Sequence, residues 1–236
     1  MLIDSIENKQ KILENFIKLC AFNEVSEETL LQAFQGAKID PKFALLIFEN
    51  GAESIVEFWL ERIDAKMLQD AQEVTQNIDF SQMKIRDKIT NLLQIRVKIN
   101  QEYQEQLPQL IKFFSCPKNI NLAFKNAYKV ADLMWQFIGD KSTDFNFYSK
   151  RAILAKIYIR STICLAGDKS SDCKKTFALI DKEIEKVMQF TAFKFKIRSS
   201  LQKLADLKPD LTSAAEDLCK NPKNFIKKLP FFRLYR

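Results

Sequence analysis

The chain has 236 residues, 47% hydrophobic and 28% charged, which suits one well-buried core or two small ones in a soluble globular protein. It has no histidine, four glycines and six prolines, which excludes His-based triads and zinc sites and leaves little for Gly-rich phosphate loops or tight β-turns. The net charge of +7 is unevenly placed: residues 1–100 hold 12 basic and 16 acidic side chains, and the remaining 136 hold 25 and 14, so attraction to an anionic surface belongs to the C-terminal part.

The elements read as helices throughout. The first spans about Ser5 to Phe22, with Ile6, Leu13, Ile17 and Cys20 on one face. Ser26 caps a second, EETLLQAFQ, which stops near Gly36, and Asp40-Pro41 opens a short third, PKFALLIFEN. Gly51 breaks that helix, and AESIVEFWLERIDAKMLQDAQ continues as a fourth. Two short helices joined by a Gly-containing turn have the outline of a helix-turn-helix in a TetR-type regulator. Its charge argues against DNA: nine acidic and three basic residues lie between Glu24 and Asp64, and the recognition position offers Phe43 to Phe48, all apolar. The outline is therefore expected to be a packing scaffold.

MKIRDKITNLLQIRVKIN follows, with Ile85, Ile89, Leu92 and Ile99 at helical spacing and Arg96 on the same stripe, where a rim arginine paired with an acid is expected. LPQLIKFFSCP is a short helix ended by Pro117. Between Asn119 and Ile138 one face reads Ala123, Ala127, Val130, Met134, Phe137 and another Phe124, Tyr128, Ala131, Trp135, Ile138. That apolar arc is wider than the roughly 100° of a surface helix. The next helix, about Asp144 to Leu165, is similar: Ala152, Ala155 and Ile159 form a stripe that Leu154, Ile157 and Tyr158 widen. Two such helices either sandwich each other inside a core or line an apolar cavity.

The corner between them, MWQFIGDKSTDFNFYSKR, packs aromatic rings around Asp140 and Asp144. Gly139 suits a helix stop, Ser142 or Thr143 an N-cap, and Asp144 a first turn facing the macrodipole. No nucleophile or metal cluster accompanies the two carboxylates, so acid/base catalysis lacks its parts. Aromatic anchors ringed by charge suit a protein contact better.

GDKSTDFNFYSKRAILAKIY (139–158) closely resembles the signature of the coenzyme Q biosynthesis protein nine family, and the likeness runs from roughly Leu30 to Met188 through GAKID, MKIRDKI and FALIDKEIE. The resemblance implies an all-α, TetR-like bundle with a degenerate N-terminal helix-turn-helix, no catalysis and no cofactor of its own. It implies an accessory protein that binds a polyprenylated quinone intermediate and presents it to the di-iron hydroxylase of ubiquinone synthesis, as a homodimer that does not bind DNA. By the same resemblance Asp144, Phe147, Tyr148 and Arg151 form the hydroxylase contact, with Phe147 where the family commonly has tryptophan. The two wide-faced helices become the walls of a lipid pocket, with Tyr128, Ala131, Trp135, Leu154 and Tyr158 toward the ligand. A TetR-type regulator with an apolar ligand pocket is the alternative.

The tail, KNPKNFIKKLPFFRLYR, has six basic residues and no acid. Phe225, Ile226, Lys227, Lys228, Leu229, Phe231 and Phe232 suit the headgroup boundary of an anionic bilayer, although the same pattern binds RNA or folds back on the domain. The expected organisation is a helix-turn-helix-like part over 1–75, a lipid-binding bundle over 78–205 and a membrane segment over 206–236. Five scattered cysteines without a CxxC pair read as free thiols in a reducing compartment. Without a cleavable targeting pattern at the N-terminus, or an apolar run of roughly 18 residues, the expected location is cytoplasmic, peripheral to a bacterial inner membrane.

Overall fold

The computed structural model describes residues 5–77, 80–143 and 145–189. Residues 1–184 form one compact unit and residues 185–236 a second, of which 185–189 are described. The described residues hold α-helices, short 3-10 turns and no strand.

Helix α1 (Ile6–Cys20) starts where the Ser5 hydroxyl accepts the Asn8 N–H at 3.2 Å. Its buried face is Ile12, Leu13, Phe16 and Cys20. Ile6 is 71% exposed, so the stripe is rotated from the expected one. The paired apolar positions Ile12-Leu13 and Phe16 give more buried area than Ile6 and Ile17 do. Helix α2 (Glu27–Gly36) is capped by Ser26, as expected. Helix α3 (Ala44–Ile47) is a single turn after a 3-10 turn at Pro41–Phe43, shorter than the PKFALLIFEN reading. Phe48 leaves the helix (φ −129°, ψ 88°) and buries its ring between Phe34 and Phe58, so tertiary ring packing ends what local propensity would continue.

Helix α4 (Ala52–Asn77) is the long strut of the unit. Gly51 precedes it at φ +56°, and the Glu27 carboxylate on α2 accepts the Ala52 N–H at 2.8 Å, so one helix caps another. Ile55, Val56, Trp59, Ile63 and Met67 are buried along it. Helix α5 (Ile85–Gln101) packs on α4 through Ile89, Leu92, Leu93 and Val97, while Ile85 is 61% exposed. Arg96 is no rim residue. It is fully buried, donating to Asp64 on α4 at 2.6 Å and to the Tyr158 hydroxyl at 3.3 Å. A guanidinium at that depth is tolerable only when paired and hydrogen-bonded.

Helix α6 (Leu107–Ser115) is short, and Pro117 opens a further 3-10 turn that leads into α7 (Ile120–Phe137). Helix α8 (Phe145–Ala166) packs along α7, and residues 174–189 form α9. Between α8 and α9 the Asp168 carboxylate accepts from the N–H and hydroxyl of both Ser170 and Thr176. Burial opposes its charge, but those four bonds hold its pKa well below the ordinary carboxylate value. Cys20, Cys116, Cys164 and Cys173 are free thiols.

Candidate functional site

The corner between α7 and α8 follows the rules of helix termination. Gly139 lies at φ +79°. Its N–H donates to Gln136 O at 2.9 Å and the Asp140 N–H to Trp135 O at 3.0 Å, the paired bonds of a Schellman stop. A Cβ at 139 would meet nothing within 4 Å, so backbone conformation alone asks for glycine there.

Asp140 turns inward from that stop, its side chain 8% exposed. It accepts the Ser142 hydroxyl at 2.6 Å, Lys150 Nζ at 2.9 Å and Arg151 Nη1 at 3.2 Å. Burial works against the charge, yet these donors outweigh it and lower the pKa to about 2. A carboxylate held charged in this way is a poor proton donor near neutral pH. The Ser142 hydroxyl thus spends its proton on Asp140.

Arg151 needs a correction. Expected as a surface contact, it is 1% exposed. Its Nε donates to Asp132 on α7 at 2.5 Å, and its Nη1 also reaches the Phe147 carbonyl at 3.2 Å. The guanidinium carbon lies 3.4 Å from the centre of the Phe147 ring. With carboxylates on α7 and on the turn both aimed at it, the arginine is held between them.

Above this charged layer Phe147 is half-buried and Tyr148 is 63% exposed, their rings edge-to-face at 5.1 Å. Lys150 adds its ammonium over the Trp135 ring at 5.1 Å. The arrangement is an aromatic step on a rigid ionic base. Asp144 lies outside the described residues, as do Phe225, Ile226, Lys227, Lys228, Leu229, Phe231 and Phe232.

The five expected pocket residues differ in burial. Ala131 and Leu154 are buried, at 0% and 2% exposure. Tyr128 and Trp135 are half-buried, and the Tyr128 hydroxyl and Trp135 indole nitrogen have no hydrogen-bond partner among the described residues. Tyr158 alone of the five lines a cavity of about 60 Å³, which α4, α5, α6 and α8 enclose with Trp59, Ile63, Asn100, Leu110 and Phe114 among its walls. Trp59 and Asn100 carried no expectation. The arginine on the α5 stripe was their signal, since a buried guanidinium implies a polar centre among neighbouring helices.

Among the described residues no group of three or more Cys, Asp or Glu is placed to hold a metal ion, and no helix is long and apolar enough to cross a membrane.

Comparison with known proteins falls on the same corner. The family model described as COQ9 matches residues 120–191, which contain α7, the corner and α8. The chain is 26% identical over 164 residues to ubiquinone biosynthesis protein COQ9, mitochondrial, of Rattus norvegicus, covering 68% of this chain and 52% of the relative. It is 24% identical over 183 residues to the Homo sapiens protein of that name, covering 76% and 57%. To the probable ubiquinone biosynthesis protein coq9, mitochondrial, of Dictyostelium discoideum it is 23% identical over 198 residues, covering 83% and 64%. The chain thus spans between half and two thirds of the length of these relatives. The signature at 139–158, the matched window and these relatives agree, and the similarity of the chain is to the COQ9 family.

Proposed function

We propose that this chain serves ubiquinone biosynthesis as a non-catalytic accessory protein. It binds a polyprenylated quinone intermediate at a membrane surface and presents it to the pathway's di-iron hydroxylase. The names of its relatives support the pathway. The observation that carries the docking half is Tyr148, 63% exposed at the start of α8, on a corner braced from below by Asp132, Asp140, Lys150 and Arg151. Large exposed aromatic groups on rigid supports are the usual anchors of protein interfaces. Phe147 and Asp144 complete the contact in this reading, and Arg151 acts from beneath.

The cavity of about 60 Å³ is well under the roughly 300 Å³ at which ligand pockets begin, so loading requires helices to part. Membrane docking is assigned to the basic and aromatic tail, at a quinone-making membrane; the relatives named above are mitochondrial, and a bacterial inner membrane is the setting proposed here. Self-association as a dimer belongs to the same proposal. A DNA-reading role is opposed by α3, a single turn of Ala44, Leu45, Leu46 and Ile47 with no side chain that reads a base edge.

The decisive experiment is titration of the hydroxylase with Tyr148→Ala. Binding is expected to weaken by about 2 kcal/mol with the thermal midpoint nearly unchanged. Unaltered affinity removes the corner from the mechanism. Mass spectrometry of lipids extracted from the purified chain tests the cargo, and loss of flotation on anionic vesicles after deletion of Pro222 to Arg236 tests the tail.

A further inference from the structure

Trp59 is 1% exposed, and its indole nitrogen is buried without a hydrogen-bond partner among the described residues. A buried donor with no acceptor is uncommon, because the water it gives up is not replaced. Trp59 lines the cavity between α4, α5, α6 and α8. Four other residues with polar side chains share that lining: Tyr103, Thr162, Asn100, 3% exposed, and Tyr158, whose hydroxyl accepts from Arg96 Nη2 at 3.3 Å. A guanidinium only donates, so the tyrosine's own proton is not used in that bond. The remaining walls, Leu60, Ile63, Leu107, Leu110, Ile111 and Phe114, are apolar.

The charge of the site restricts what fits. Arg96 is already matched by Asp64 at 2.6 Å, with Lys129 Nζ 3.7 Å from the second oxygen of that carboxylate. No bare positive charge faces the cavity to hold a phosphate or carboxylate against desolvation. An uncharged oxygen on an apolar body meets both conditions.

We propose that Trp59 is the specificity-determining donor to a ring carbonyl of the bound lipid, so that the quinone head is read on α4 and not at the α7–α8 corner. The inference rests on the lipid-carrier reading above. At about 60 Å³ the cavity takes the carbonyl and the ring edge that bears it. The remainder of the molecule enters as the α6 wall of Leu110, Ile111 and Phe114 yields.

The test uses the 236-residue chain and two probes, a short-chain prenyl benzoquinone and farnesene, a hydrocarbon of similar chain without oxygen. Trp59 is replaced by 3-benzothienylalanine, which keeps the ring shape and removes the N–H. The quinone is expected to bind about five- to tenfold more weakly, the worth of one neutral hydrogen bond, with farnesene unchanged. Equal effects on both probes, or none on either, overturn the proposal; the N–H then faces water or the Tyr103 ring, which lies edge-to-face with Trp59 at 5.4 Å. If the unmodified chain binds neither probe, the lipid reading falls and this inference with it. Should the replacement not fold, Raman spectra of Trp59 in a Trp135→Phe background decide: a shift of the indole N–H band on adding quinone supports the donor role, and an unshifted band overturns it.

Discussion

Two helix–helix corners, α2–α3 and α7–α8, each carry acidic and basic residues in the turn. They are built in opposite ways. At α7–α8 the charges point inward: Arg151 is 1% exposed between Asp132 and Asp140, and the ring of Tyr148 points out. At α2–α3 the one ion pair of the turn, Lys42 to Asp40, is 67% and 49% exposed, and Phe34 and Phe48 point in. A corner whose ions are buried is fixed in shape and can present a surface ring at a set angle. A corner whose ions are solvated is fixed by its rings and leaves Leu45 and Leu46 outside.

The sharpest way to break this contrast is to remove one cation from each corner. Arg151→Ala leaves Asp140 buried without its guanidinium and is expected to cost about 3 kcal/mol or more in urea unfolding. Lys42→Ala is expected to change nothing measurable, since exposed pairs contribute little. Equal losses would show that burial does not separate the two corners.

The two turn glycines sharpen it further. At Gly51 (φ +56°) a Cβ would sit 2.2 Å from the Glu27 carboxylate, which caps α4, whereas at Gly139 (φ +79°) it would meet no atom. Gly139→Ala is expected to cost about 1–2 kcal/mol from the left-handed backbone alone. Gly51→Ala is expected to cost about 1 kcal/mol more, through loss of the cap. Thermal unfolding of both variants checks the order.

The buried charge of the α7–α8 corner also sets a pH dependence. The folded pKa of Asp140, about 2, lies below the ordinary 3.8, so its stabilisation is complete above about pH 4 and is lost as pH falls through about 2. Asp140→Asn is expected to flatten the acid limb of the stability profile in that window without altering its slope near neutrality. The residual slope belongs to groups such as Asp168, whose pKa is also lowered. Phe147→Trp, which restores the ring common in the family, is expected to leave stability within about 0.5 kcal/mol and to hold or strengthen hydroxylase binding.

The sequence by itself determined the all-helical class, the helix stops at Gly36 and Gly139, the cap at Ser26, and the likeness to the COQ9 family through 139–158. These depend on neighbours within a turn or two of chain, where capping and backbone conformation leave few choices. Charge counting went less far. The net −6 of residues 24–64 includes Asp64, buried on Arg96, and Glu57 and Glu61, which meet Lys125 and Lys129 of α7. Only the tertiary structure decided which way each charge and ring faces. Arg96 and Arg151 lie inside because carboxylates 32 and 19 residues away meet them there. The cavity lies against Trp59 because α6 and α8 close over α4 and α5, and none of these separations leaves a mark in local spacing.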